Sequence, residues 1–197
     1  MKLNLTEKIL MNNPLRAALH RSFEAKRLIA MGGKMKGGRA LEVGCGQGVG
    51  AEIILDLFNA DRVDSFDLDR QMVGLARHRL ERRNDKCRLW AGDVTTIPVR
   101  DNTYDAVFDF GVIHHVPKWQ DAVKELHRVL KPGGRLYAEE VLDRLIVHPL
   151  WKRLLAHPQA NRFNVELFNE ALTNAGFKVV ESNELWKWFG WFVAEKV

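Results

Sequence analysis

Leu41-Glu42-Val43-Gly44-Cys45-Gly46-Gln47-Gly48 runs from a short apolar strand into three alternate glycines, and a helical pattern follows over 49–58. Glycine lets the backbone turn tightly and lets a ligand lie against the main chain, while the helix start presents free N–H groups. Such a loop suits a nucleoside. Gly46-Gln47-Gly48-Val49-Gly50-Ala51 also satisfies the dinucleotide fingerprint G-x-G-x-x-A, with Asp67 at a suitable distance for a ribose, so an NAD(P)-binding oxidoreductase is one reading of this loop.

Outward from the loop, strand and helix patterns alternate. Strands are expected over 40–43, 62–66, 87–91, 104–110 and 135–140, and helices over 49–58, 70–83 and 119–130. This spacing implies βαβ units and an α/β fold, a Rossmann-like doubly wound parallel sheet covered on both faces. After a helical pattern over 165–175, closed by Gly176, two β-rich runs at 177–180 and 188–197 have no helix between them, so they pair antiparallel. At the other end Asn13-Pro14 opens a helix that stops before Gly32-Gly33, with Leu15, Ala18, Leu19 and Ser22 as its apolar stripe and Arg16, Arg21 and Lys26 off it.

The chain has 197 residues and a net charge of +5, an ordinary globular composition. Nine Lys or Arg in residues 1–39, against Glu7 and Glu24, give +7 there and leave −2 for the other 158. Such a basic end is either a solvated helix face or a surface for anions. Two cysteines, Cys45 and Cys87, make neither a disulfide framework nor a zinc site, which suggests a reducing compartment. With no apolar run of 18 residues and no signal-like start, the expected location is cytoplasmic.

Five strings appear in order: Leu41 to Gly48; Phe66-Asp67-Leu68-Asp69-Arg70-Gln71-Met72; Gly92-Asp93-Val94, with Pro98 and Tyr104-Asp105 beyond it; Gly111-Val112-Ile113-His114-His115-Val116; and Leu130-Lys131-Pro132-Gly133-Gly134. Together they resemble the class I S-adenosylmethionine-dependent methyltransferases, in particular the small-molecule group, over residues 38–140 and more loosely 165–197. The resemblance implies a seven-stranded sheet of order 3-2-1-4-5-7-6 with strand 7 antiparallel, and S-adenosyl-L-methionine as cofactor. By resemblance the cofactor-binding residues are Glu42, Gly44, Cys45, Gly46, Gln47, Gly48, Asp67, Leu68, Met72, Gly92, Asp93, Val94, Phe110, Gly111 and His115. Physically, Asp67 can accept from both ribose hydroxyls and Leu68 can pack on the adenine. The resemblance gives Asp93 the adenine amino group and Val94 a ring nitrogen; Asp69 reads as a helix cap. Glu42, costly in a buried strand unless partnered, suits the loop and the cofactor's ammonium group.

Methyl transfer from a sulfonium is an in-line displacement that rests on proximity and exclusion of water, with a base only where the acceptor holds a proton. Candidates past the strand ends are His114, His115 and Glu140, with Glu139 beside it as a group that could orient an acceptor. No metal is called for. Asp109-Phe110-Gly111-Val112 stands where N-methyltransferases of amides or adenine show an Asn/Asp-Pro-Pro-aromatic string, which argues against nucleic acid. The expected organisation is one domain: a basic helical cap (1–38), a cofactor core (39–140), a lid (141–164) built around His148-Pro149, Leu150, Trp151, Leu154, Leu155 and His157-Pro158, and a last helix with a hairpin (165–197). The hairpin carries Trp186, Trp188, Phe189, Trp191 and Phe192, which alternation sends to both faces. With the basic end and the lid, these residues point to a small, apolar or lipid-like acceptor and to peripheral membrane contact. A non-catalytic protein that keeps the cofactor pocket is the remaining alternative.

Overall fold

The computed structural model describes residues 13–146 and 161–197. Seven strands form one sheet: β1 (Arg39–Val43), β2 (Arg62–Asp67), β3 (Cys87–Ala91), β4 (Tyr104–Phe110), β5 (Leu130–Val141), β6 (Phe177–Leu185) and β7 (Phe189–Lys196). Their order is β3-β2-β1-β4-β5-β7-β6. The pairs among β1 to β5 are parallel, and β7 runs antiparallel to both β5 and β6, as expected. Central strands are buried on both faces, which is why they read as near-continuous apolar runs.

Helices cover both sides. One face carries α5 (Trp119–Val129) and α7 (Val165–Asn174), which bury Trp119, Val123, Leu126, Phe168 and Leu172 against β4, β5 and β7. The other face carries α2 (Ala25–Gly32) and α3 (Val49–Leu57), through Ala25, Leu28, Ile53 and Ile54. Helix α4 (Arg70–Arg79) lies beside the glycine loop, with Val73 and Ala76 against Cys45. A short helix α6 (Asp143–Ile146) opens the expected lid, and at the lid's end Phe163 is buried against Trp119; residues 147–160 of that expectation, including 148–158, lie outside the described residues.

Four local expectations change. The helix expected over 70–83 ends at Arg79, and Glu81–Arg83 make a 3-10 turn. Strand β5 begins at Leu130, because Lys131-Pro132-Gly133-Gly134 is absorbed as a bulge against β4, Tyr104 pairing Leu130 and Ala106 pairing Arg135. Strand β6 continues through Glu181, Ser182, Asn183 and Glu184, polar residues acceptable on an edge strand with a wet face.

The fourth change concerns the N-terminal helix. Segments α1 (Pro14–Leu19), a π-helical turn (His20–Glu24) and α2 run head to tail, capped by Asn13, whose side chain accepts from the Arg16 N–H at 2.8 Å. The expected apolar stripe faces outward: Leu15 is 80% exposed and Leu19 48%, with Ala18 and Ser22 also exposed. What turns inward is Arg16, His20, Glu24, Leu28 and Gly32, a row spaced by four. An α-helix drifts about 40° per four residues, and the wider π turn takes up part of that drift, so the row stays on one face. Its first half meets polar groups and its second half meets the sheet.

Gly32 fixes how closely this helix approaches. A Cβ there would stand 2.5 Å from Tyr137 Cε1 and 2.8 Å from Val193 Cγ1, both buried, while the Tyr137 hydroxyl donates to the Gly32 carbonyl at 3.1 Å. Gly32→Ala should therefore lower stability to chemical denaturation by about 1–3 kcal/mol. By contrast Gly74→Ala, in α4 with nothing within 4 Å, should raise it by about 0.5–1 kcal/mol.

Candidate active site

Strand β1 delivers the glycine loop to the carboxyl edge of the sheet, where the order reverses between β1 and β4 and a crevice must open. Gly44 sits at φ +72°, and a Cβ there would overlap Val112, so this turn demands glycine. The loop is pinned from β2: Asp67 accepts from the Gly46 N–H at 3.0 Å and from the Asp69 N–H at 2.8 Å, and Cys45 N–H donates to the Phe66 carbonyl at 2.9 Å. Asp69 caps α4, accepting from Gln71 N–H at 3.0 Å.

Glu42 is buried beneath the loop. It accepts from the Ser65 hydroxyl and from the Ala51 N–H of α3. A Cβ at position 50 would collide with its carboxylate, so Gly50 is what lets α3 settle on it. Burial raises the Glu42 pKa to about 8, against the hydrogen bonds that favour the anion. Burial, with the Glu42 and Asp67 charges, also pushes the Cys45 thiol up, which makes it an inert wall residue.

These residues enclose a cavity of about 430 Å³. Every cofactor-binding residue expected from the sequence lines it except Gly48, which forms the α3 cap behind the wall. Phe66 stacks on Trp90 at 5.2 Å along one side, and Asp93 makes a tight turn by accepting from Thr95 N–H and hydroxyl, both at 2.8 Å. Acidic lining groups (Glu42, Asp67, Asp69, Asp93) outnumber basic ones (Arg16, Lys118).

The expected base candidates separate. His115 lines the cavity. His114 and Glu140 stand behind it: Glu140 is fully buried and accepts from Ile113 N–H (2.7 Å), His114 N–H (3.2 Å) and, at 2.5 Å, pairs with His114 Nδ1. Asp109, likewise buried, accepts from Val112 N–H at 3.0 Å. Burial pushes both carboxyls up; the Glu140 charge adds to the rise at Asp109, whereas hydrogen bonds from Asp109 and the backbone oppose it at Glu140, and the pair holds the 3-10 turn Ile113–His115.

On the opposite side sequence reading singled out Glu139 but missed the helical residues that meet it. Arg16 and His20 line the cavity, and Arg16 donates to Glu24 and, at 3.1 Å, to Glu139, a residue at the end of β5. One atom each of His20, Glu24 and Glu139 lies within 4.8 Å of the others, all three residues buried. His20 packs edge-on against Phe110 at 4.3 Å. Burial opposes the Arg16 charge, but the two carboxylates outweigh it and raise its pKa. Burial and the Glu24 charge hold Glu139 well above the ordinary range despite Arg16. Burial and the charges of Arg16 and Arg21 push His20 down to about 3. The Arg16 guanidinium already fills the cation position of this cluster. The row of four-residue spacings from Arg16 to Gly32 is the signal that marks it in the sequence.

Residues 41–138, about half of the chain, match a family described as "Methyltransferase domain". A fatty-acid O-methyltransferase of Mycolicibacterium smegmatis is 31% identical over 122 residues, covering 62% of this chain and 43% of that protein. A sterol 24-C-methyltransferase of Schizosaccharomyces pombe is 33% identical over 118 residues, covering 59% of this chain and 30% of that protein. The chain spans about half the length, or less, of the first curated relatives it matches. Among solved structures, a SAM-dependent methyltransferase from Aquifex aeolicus shares the fold with a TM-score of 0.75 at 20% identity, over 100% of both chains.

Glu42 carries a stability signature of its own. Its folded pKa of about 8 exceeds the ordinary 4.5, so the folded state holds a proton that the unfolded chain gives up between those values. Its contribution is therefore most favourable below pH 4.5 and is lost as pH rises toward 8. Glu42→Gln should flatten the pH dependence of thermal unfolding between pH 5 and 8. At pH 8 the variant should be the more stable protein by at least about 1 kcal/mol.

Proposed function

The chain belongs to the class I S-adenosylmethionine-dependent methyltransferases, and from that premise we propose that it transfers the methyl group of S-adenosyl-L-methionine to a small, apolar or lipid-like acceptor. The observation that carries this reading is the acidic cavity at the carboxyl edge of the sheet. The cofactor supplies a methyl group on a positively charged sulfur, already activated toward a nucleophile. Asp67, Asp69 and Asp93 around the cavity match a cation with an ammonium tail, and Glu42, buried at its base and holding a proton up to about pH 8, can release it to such a cation. A dinucleotide pyrophosphate would ask for cationic partners, which this wall lacks on the glycine-loop side.

In this reading Asp67 keeps its loop contacts and uses its remaining lone pairs for the ribose hydroxyls, since each carboxylate oxygen accepts more than once. Asp93 and Val94 meet the adenine, Leu68 and Met72 pack on it, and Gly44 to Gly48 let the amino-acid portion lie against the main chain. His115, together with Phe110 and Gly111, shapes the wall beside the transferred methyl, positioned from behind by His114 and Glu140.

Acceptor chemistry rests on the opposite side. The fatty-acid and sterol methyltransferases are relatives whose acceptors are lipids, which supports an apolar acceptor here. Exposed Leu15, Leu19 and Phe23 on the N-terminal helix, and Trp186 at the tip of the β6–β7 hairpin, support entry of such a molecule and peripheral membrane contact. No helix among the described residues is long and apolar enough to cross a membrane. The basic cap, cofactor core, lid and hairpin are proposed as parts of one domain built around this cavity.

Calorimetric titration with S-adenosylmethionine, S-adenosylhomocysteine, NAD and NADP tests the reading. The first two should bind in the micromolar range and the last two should not. Asp67→Ala and Asp93→Ala should each weaken cofactor binding at least tenfold, about 1.4 kcal/mol or more. Wild-type affinity in both variants would sink the assignment of the pocket, and binding of NAD or NADP alone would restore the oxidoreductase reading.

A further inference from the structure

We propose that the wall formed by Arg16 and His20, with Glu24 and Glu139 behind them, is the acceptor site, that it selects an acceptor with a neutral hydroxyl group, and that His20 Nε2 takes the hydroxyl proton as the methyl group arrives. This inference rests on the methyltransferase reading. Three observations carry it. His20 is 7% exposed, lines the cavity, and its Nε2 has no hydrogen-bond partner. A buried nitrogen without a partner costs free energy unless something meets it. His20 also opens a π-helical turn inside an otherwise α-helical segment, a feature frequent at functional sites, and the turn keeps its side chain on the inward row. Finally, the buried Glu139 carboxyl, hydrogen-bonded to Glu24, lies in the same cluster as His20, so groups that can hold a proton stand directly behind the imidazole.

The charges of the wall narrow the acceptor. The Arg16 charge is already balanced by Glu24 and Glu139, so a free carboxylate would add an uncompensated negative charge to the cluster. An ammonium group would have to enter beside that same guanidinium and would keep its proton from an imidazole that burial, with the charges of Arg16 and Arg21, holds neutral. A hydroxyl has neither difficulty. As its oxygen forms the new O–CH₃ bond, the S–CH₃ bond breaks with its electron pair remaining on sulfur. The O–H group becomes strongly acidic, and even a weakly basic imidazole can remove its proton. The imidazolium formed stands within reach of the Glu24 and Glu139 carboxyls and returns its proton to water when the products leave.

Three probes of one size and different charge test the proposal: p-cresol, 4-methylbenzylamine and 4-methylbenzoate. With the S-adenosylhomocysteine-bound full chain, calorimetry should show p-cresol binding at least tenfold tighter than the other two. Its addition should shift the His20 Nε2 resonance in ¹⁵N-resolved spectra. With S-adenosylmethionine, p-cresol should be the preferred acceptor. His20→Gln, close in size and still a hydrogen-bond acceptor, should leave KM for p-cresol within about threefold and lower kcat at least 100-fold. His20→Ala should lose the same activity and regain part of it with added imidazole, a rescue that a packing role would not give. Preference for the amine or the carboxylate overturns the proposal. So does an unmoved kcat in both variants, activity that depends on added Mg²⁺ or Mn²⁺, or a wild type that binds S-adenosylmethionine and methylates none of the three. Failure to bind S-adenosylmethionine at all would instead overturn the methyltransferase reading beneath it.

Discussion

Glu42, Asp67, Asp109, Glu139 and Glu140 stand at or beside the carboxyl ends of the parallel strands, and all but Asp67 are deeply buried there. A carboxylate in such a place must find N–H donors, a cation or a proton. Each finds its partners in the segment that crosses above it. Glu42 takes the start of α3, Asp67 the glycine loop, Asp109 and Glu140 the turn after β4, and Glu139 the N-terminal helix through Arg16. The loops of the site are thus held by the need to solvate one row of acidic groups.

That row also sets the electrostatics of the cavity. Helix starts and loop N–H groups, which would otherwise greet a phosphate, are spent on protein carboxylates, and the lining is left acidic. Open α/β sheets bind ligands at this edge whatever their charge. The carboxylates, not the glycines, decide that the ligand is a cation. The glycine loop could be read two ways in the sequence for this reason: its geometry serves both ligands, and only its neighbours tell them apart.

The parallel strands and the antiparallel hairpin were legible because burial on both faces leaves a mark in consecutive residues, and because two β-rich runs without a helix between them have one way to pair, whereas the order of the strands came from the family resemblance alone. The cofactor side was legible for a related reason, since each of its residues lies at a strand end within a short string. Extent was harder to read. Strand β6 continues through Glu181 to Glu184, and β5 absorbs Lys131 to Gly134, because backbone pairing to a neighbour outweighs unfavourable local composition. The N-terminal helix misled outright. Leu15, Ala18, Leu19 and Ser22 make a plausible local stripe, yet the face that turns inward is chosen by a carboxylate at Glu139, 123 residues from Arg16. No window along the chain contains that partner.

The same contrast divides the cavity by origin. The family match spans 41–138, and the groups facing S-adenosylmethionine in our reading all fall within it. Arg16, His20 and Glu24 precede it, and Glu139 follows it by one residue. A donor common to the family needs the same ribose, adenine and ammonium partners in every member, so its wall is written in recurring strings. The acceptor wall answers to a different molecule. Here it is built on a helix whose second half is clamped to the sheet by Leu28, Gly32 and Tyr137, while its first half is fixed by the pairing of Arg16. A change of acceptor then requires changes in a few side chains of that first half, with the sheet and the donor wall untouched. In our reading, likeness to a fatty-acid and a sterol methyltransferase bears on the apolar body of the acceptor, and the group that takes the methyl is read from the helix.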